Sequence, residues 1–376
     1  MKRILKFIRK ARTHYTTLVS VRISLSTLQN NLRAFQKTFP SLAFAPVLKS
    51  NAYGHGLVAV ARLFDRDGLP FFCVDSYAEA LILRNEGIRT PVLIIGYTLP
   101  ENMRAHRLRN VAFTIASIEV LKEVASLNIP LECHLKIDTG MHRQGILPDQ
   151  IPEALALLAH APQMRPTGIM SHLADADGID DAFTREQIKV WNETAARLKV
   201  ALPALRFIHC SATEGSRYAD GIAANVLRLG IGLYGCTETA PVAVEPALEL
   251  VSSVSSIRTV KIGEKIGYGA TYTAPRDMRV ATVPVGYAEG IDRRLSNIGI
   301  MMVHGQPCLI VGRVSMNMTT IDITDVEPTV HIGDEVVAIS RRREDANSCE
   351  SIARQCGTIP YEILVHIPAT LRRNIV

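Results

Sequence analysis

Lys49 closes a short apolar run, Val47-Leu48-Lys49, and opens the polar stretch Lys49-Ser50-Asn51-Ala52-Tyr53-Gly54-His55-Gly56. Burying an ammonium group is costly unless it is paired or made neutral. A lysine placed there is suited to covalent work, in which its neutral amine attacks a carbonyl carbon and forms a Schiff base. For a lone lysine the better reading is a stem laid along apolar surface with its charge in water, and it is the whole octapeptide that favours the covalent one. Further along, Arg228 precedes Leu229-Gly230-Ile231-Gly232, whose glycines let backbone N–H groups approach an anion closely. Tyr268 stands between Gly267 and Gly269. A phenol there can move a proton if its neighbours lower its ordinary pKa of about 10. On residue types alone, an aromatic beside a glycine-rich turn is the better reading.

Such groups need rigid elements to hold them. FAPVLKS (44–50) reads as a strand, followed by the helical stretch LVAVARLFDR. FFCVDS (71–76) is the next strand, followed by AEALILRNEG with Gly87 as its stop. PVLIIGY, then VAFTIAS with IEVLKEVASLN, then LECHLKID continue the alternation. RPTGIMSHLA, ALRFIHCSA and VLRLGIGLYG add further strand ends. The repetition predicts parallel strands joined by right-handed crossovers. Their number suits an α/β fold with an N-terminal (β/α)8 TIM-type barrel over residues 15–243. Lys49, Asp138, His172, Ser211 and Arg228 all fall near C-terminal strand ends, where barrel chemistry collects. After about residue 244 the pattern turns to short β-rich runs broken by Gly and Pro, predicting a C-terminal mainly-β domain over 244–376. The first strand is left free to pair with that domain.

A length of 376 residues suits two domains. The net charge of +6 reads as a solvated surface rather than a nucleic-acid face. The cysteines, at 73, 133, 210, 236, 308, 349 and 356, are odd in number, scattered and without a Cys-x-x-Cys. They read as reduced thiols in a cytoplasm, with neither a disulfide framework nor a metal site. No apolar run has the length of a membrane span, so no stable membrane association is expected. Residues 1–14 form a basic leader with interleaved apolar residues. It lacks the longer apolar centre of a secretory signal and reads as frayed or packed rather than as a surface-lying amphipathic helix.

The octapeptide at Lys49 resembles the cofactor-binding segment of alanine racemases, fold type III enzymes that use pyridoxal 5'-phosphate. The resemblance extends over nearly all the chain after the leader. It includes Lys136-Ile137-Asp138-Thr139-Gly140-Met141-His142-Arg143-Gln144-Gly145, His172 in SHLADAD, and Arg228-Leu229-Gly230-Ile231-Gly232-Leu233-Tyr234-Gly235. Gly267-Tyr268-Gly269-Ala270-Thr271-Tyr272, Val285-Gly286-Tyr287-Ala288-Glu289-Gly290, Gly312-Arg313-Val314-Ser315-Met316-Asn317 and Pro360-Tyr361-Glu362 complete it.

The resemblance implies two bases on opposite faces of the substrate: Lys49, which also carries the cofactor, and Tyr268. The family supplies that tyrosine from a partner subunit, implying a homodimer with shared active sites. It places Arg228 against the pyridine nitrogen, which a permanently charged guanidinium leaves unprotonated. A weaker electron sink then favours reprotonation over transamination. Tyr53, Tyr361, Ser211 and the backbone of Gly230 and Ile231 are implied to hold the phosphate. His172 is implied to lie near the ring or to brace Arg228. Arg143, Met316 and Asn317 are implied to meet the substrate carboxylate, and Tyr287 to narrow the entrance. Lys136 matches a lysine that many members carbamylate.

Two departures stand out. The family's Asn-Ser-Ala stretch reads His209-Cys210-Ser211-Ala212-Thr213 here, and Asn317 replaces a common aspartate. The Met-Asn pair resembles that of broader-specificity racemases. The implied reaction is conversion of L-alanine to D-alanine for peptidoglycan, on a small amino-acid substrate. Alternatives are a broad-spectrum racemase acting on serine, lysine or arginine, a decarboxylase of the same plan, a cofactor carrier and an interaction protein. Arg228 argues against the decarboxylase, which is expected to carry an acid there. The β-rich third argues against the carrier, and the presence of both bases against the interaction protein.

Overall fold

The computed structural model describes residues 16–237 and 239–376; the basic leader lies outside them. The chain forms two compact units. One is Ser24–Ala247. The other joins Leu248–Val376 to the segment ending at Ile23, which holds strand β1 (Ser20–Ile23).

In the first unit, eight strands alternate with helices. They are β2 (Ala43–Pro46), β3 (Phe72–Val74), β4 (Val92–Ile94), β5 (Val111–Ile115), β6 (Leu131–Lys136), β7 (Met164–Met170), β8 (Phe207–His209) and β9 (Val226–Leu229). β3 to β8 pair in chain order as a parallel sheet. β2 pairs with β9, also in parallel, with Ala45 opposite Arg228. A bridge between Val47 and Cys73 and a 3.2 Å bond from the Arg228 N–H to the Ser211 carbonyl close the ring. The result is a (β/α)8 barrel. Strands β3 and β4 are buried at every position, as strands covered on both faces must be. The helices follow from local chemistry. Ser76 and Ser117 accept the N–H groups of Glu79 and Val120 and so start Tyr77–Asn85 and Ile118–Ser126. Leu57–Phe64 buries Leu57, Val60, Ala61 and Phe64, one helical stripe.

In the second unit, β1 pairs antiparallel with β10 (Leu248–Ser253), Val21 facing Leu250. The remaining strands are β11 (Ser256–Val260), β12 (Lys265–Ile266), β13 (Tyr272–Thr273), β14 (Met278–Val283), β15 (Ile300–Val303), β16 (Gln306–Leu309), β17 (Thr319–Asp322), β18 (Glu335–Ile339) and β19 (Arg372–Ile375). The main sheet runs β16-β15-β18-β10-β1-β19, beside smaller sheets β11-β14-β17 and β12-β13. Ile266, Ala274, Met278, Val280 and Val311 pack as one apolar cluster. Two helices interrupt the β texture, Cys349–Cys356 and Pro360–Val365. Among the described residues no helix is long and apolar enough to cross a membrane. All seven cysteines are buried free thiols.

Candidate active site

Lys49 stands just past the end of β2 and is partly exposed. The strand expected over residues 44–50 ends at Pro46, Val47 adds a single parallel bridge to Cys73, and from Ser50 the chain turns the other way. Ser50, Asn51, Ala52 and Tyr53 have φ of 54, 56, 53 and 51°, a left-handed turn of four non-glycine residues. Each costs about 1–2 kcal/mol against the right-handed form. Side chains hold the turn: Glu79 accepts from the Ser50 N–H at 2.7 Å, and Asn51 Oδ1 accepts from the Leu57 N–H at 2.9 Å. This arrangement presents Lys49 and Tyr53 from one tight loop.

Arg228, on β9, is only 3% exposed. Its Nη1 donates to His209 Nδ1 at 2.7 Å and to the His209 carbonyl at 2.8 Å. Its Nη2 donates to the carbonyls of Ser171 and Cys210 at 2.7 and 2.8 Å, with His172 Nδ1 at 3.2 Å. Among the described residues no carboxylate forms an ion pair with this buried charge. The Nε–H has no partner among the described residues. That orphaned donor, in a site of neutral acceptors, fits a heteroaromatic nitrogen with a free lone pair. Burial, reinforced by Arg228, pushes His172 down to about 3, so it faces the guanidinium as a neutral acceptor.

An anion cradle adjoins. A Cβ on Gly230 would lie 3.0 Å from the Tyr53 hydroxyl, and one on Gly232 would lie 2.6 Å from Thr213 Cγ2. Glycine is needed at both for this close approach. Thr213 Oγ1 accepts the Gly232 N–H at 3.1 Å. Burial raises the Tyr53 pKa, which keeps its phenol a donor. Ser211 and Ile231 are buried too, but the Ser211 side chain lies against Gly215. Thr213 therefore joins the glycine loop, a residue that sequence reading passed over. Its signal was a hydroxyl two places beyond Ser211 in the altered His-Cys-Ser-Ala-Thr stretch.

Lys136, at the end of β6, is 6% exposed and donates to Gln144 Oε1 at 3.3 Å. Burial, then Arg143 and Arg228, lower its pKa to about 8. Asp138 Oδ1 accepts the N–H groups of Gly140 and His142, shaping the loop that carries the exposed Arg143. Gly145, with φ of +147°, lets that loop close: a Cβ there would lie 2.3 Å from the Asp138 nitrogen. Asp138, His142, Arg143 and Tyr97 line a cleft of about 480 Å³.

The remaining candidates belong to the second unit. Tyr268 begins a short turn after Gly267 and is 72% exposed. A Cβ on Gly269 would lie 3.2 Å from the Arg313 guanidinium, so this turn adjoins the segment leading to Met316. The N–H groups of Tyr287 and Ala288 donate to the carbonyls of Ser315 and Met316 at 3.1 and 2.9 Å. Asn317 Nδ2 donates to Glu289 Oε1 at 2.7 Å. Tyr287, Met316 and Asn317 are exposed, and Tyr361 is half-buried in Pro360–Val365.

Residues 23–238 match the family model for the alanine racemase N-terminal domain, and residues 247–375 match that for the C-terminal domain. The chain belongs to the alanine racemase family. The alanine racemase of Sorangium cellulosum is 38% identical over 93% of this chain and 97% of that protein. That of Syntrophobacter fumaroxidans is 36% identical over 92% and 94%. Among solved structures, alanine racemase from Bacillus anthracis with bound L-Ala-P superposes with a TM-score of 0.87 at 30% identity, covering 97% of this chain and 96% of that one. Alanine racemase from Clostridium difficile 630 gives 0.88 at 29%, covering 96% and 97%. Alanine racemases depend on pyridoxal 5'-phosphate. The orphaned Arg228 donor and the Tyr53–Gly230–Thr213 cradle fit its ring nitrogen and its phosphate.

Proposed function

We propose that this protein interconverts L- and D-alanine with pyridoxal 5'-phosphate held by Lys49. The observation that carries the reading is the buried Arg228, fully satisfied except at Nε. When bound, the cofactor withdraws electrons from the substrate and acidifies its Cα–H. Lys49 and Tyr268 then act as the two bases, the Lys49 amine moving a proton on one face and the Tyr268 Oη on the other. The cradle of Tyr53, Thr213, Gly230 and Ile231, with Ser211 and Tyr361, holds the phosphate. Arg143 and the backbone at Met316 and Asn317 orient the substrate carboxylate, and Tyr287 limits side-chain size. A 72% exposed Tyr268 supports delivery of this base to a second copy's site, and hence a homodimer. Seven buried free thiols support a reducing, cytoplasmic setting, where D-alanine would supply peptidoglycan.

The Asn317–Glu289 bond favours a second reading, a broad-spectrum racemase. An aspartate at 317 would set two carboxylates together; the amide removes that charge near the substrate. Chiral chromatography on cofactor-loaded protein given L-alanine, L-serine, L-lysine and L-arginine separately decides between them. D-alanine alone supports the first reading and several D-products the second. No D-product from any of them sinks both.

A further inference from the structure

We propose that His209 and His134 form a one-way hydrogen-bond relay that holds Arg228 in position from below. This inference rests on the functional reading only in assigning Arg228 to the cofactor. Arg228 Nη1 can only donate, so His209 Nδ1 must accept their 2.7 Å bond. His209 is then the Nε2–H tautomer. Its Nε2 lies 2.8 Å from His134 Nδ1, so His209 donates and His134 accepts. The His134 proton is thereby placed on Nε2, which has no protein partner among the described residues. His134 lines a cavity of about 270 Å³ with Pro70, Phe71, Glu132, Arg206 and Phe207, near the ends where the strands begin. One charged guanidinium thus sets the tautomer of two buried imidazoles along the barrel interior.

The topology is built for this contact. His134 on β6 and His209 on β8 are separated by β7, where Gly168 pairs with His134. A Cβ at 168 would lie 2.6 Å from the His134 ring, so only glycine lets that ring cross β7. Phe71 packs on both imidazoles, with ring centroids 5.3 and 5.4 Å away. Both histidines are essentially inaccessible. Burial and Arg228 keep both neutral, His134 down to about 3. The facing charges are Arg228 above, with Glu132 and Arg206 below. With Nη1 tied to His209 and Nη2 to carbonyls, the guanidinium cannot rotate, and its Nε–H keeps one direction. His209 and His134 are positioning residues, since they act through Arg228.

Long-range proton–nitrogen NMR on histidine-labelled, cofactor-loaded protein reads the tautomers directly. His209 and His134 should both be neutral and protonated on Nε2. A charged ring, or a proton on either Nδ1, overturns the relay. His134→Leu should lower kcat about tenfold with KM unchanged, while His134→Gln, whose amide oxygen accepts from His209, stays within about threefold. Equal losses in the two variants, with the His209 tautomer unmoved, would make His134 a packing residue. A wild-type protein that racemises nothing would overturn the functional reading instead, and the tautomers would still be readable.

Discussion

Tyr268 has the simplest role to test, because its exposed phenol supports no core. Tyr268→Phe should cut turnover by about 10²–10⁴, the usual worth of a general acid–base group, with the cofactor still bound. Near-normal racemisation in that variant would remove it from the mechanism. Lys136 has a different signature. Folded, it releases its proton at about 8; unfolded lysines do so near 10.4. Between those values the unfolded chain binds more protons, so stability should rise with pH. At pH 8 and below, burial of the charged amine costs stability in full. A carbamate, which forms from the neutral amine, would remove that cost beside Arg143. Labelled bicarbonate should therefore give a carbamate carbon resonance in the wild type that Lys136→Met lacks. Its absence from the wild type would leave Lys136 a plain buried amine.

At the scale of elements, the left-handed turn after β2 matters most. Four residues in that conformation store strain, and Asn51 contributes twice, by tolerating it and by accepting the Leu57 N–H. Asn51→Ala should cost about 1–2 kcal/mol in thermal unfolding and raise the cofactor's dissociation constant. Unchanged melting and cofactor affinity would show the turn is held by other contacts. The strand–helix alternation was legible because each helix carries its own stripe and cap, as at Ser76 and Ser117. The turn was not, since Ser50, Asn51, Ala52 and Tyr53 have no glycine to announce a positive φ.

For the whole molecule, the proposed sharing of active sites between two copies predicts complementation. Lys49→Ala and Tyr268→Phe should each be nearly inactive alone. Mixed through unfolding and refolding, half the dimers would be hybrids, each with one intact site and one lacking both bases. Activity near about one quarter of wild type is expected. No recovery in verified hybrid dimers would place both bases of a site on one chain.

The amino-acid sequence by itself determined the order of strands and helices, the change to β texture near residue 244 and the candidate chemistry at Lys49, Arg228 and Tyr268. Those are local properties: periodicity, turn residues and short motifs are written in neighbouring positions. Tertiary structure alone decided that Ser20–Ile23 pairs with Leu248–Ser253, that Thr213 rather than Ser211 meets the glycine loop, and that Gly168 opens β7 to His134. Each of these depends on register or close approach between segments far apart in the chain. No local pattern encodes which distant backbone a side chain will meet.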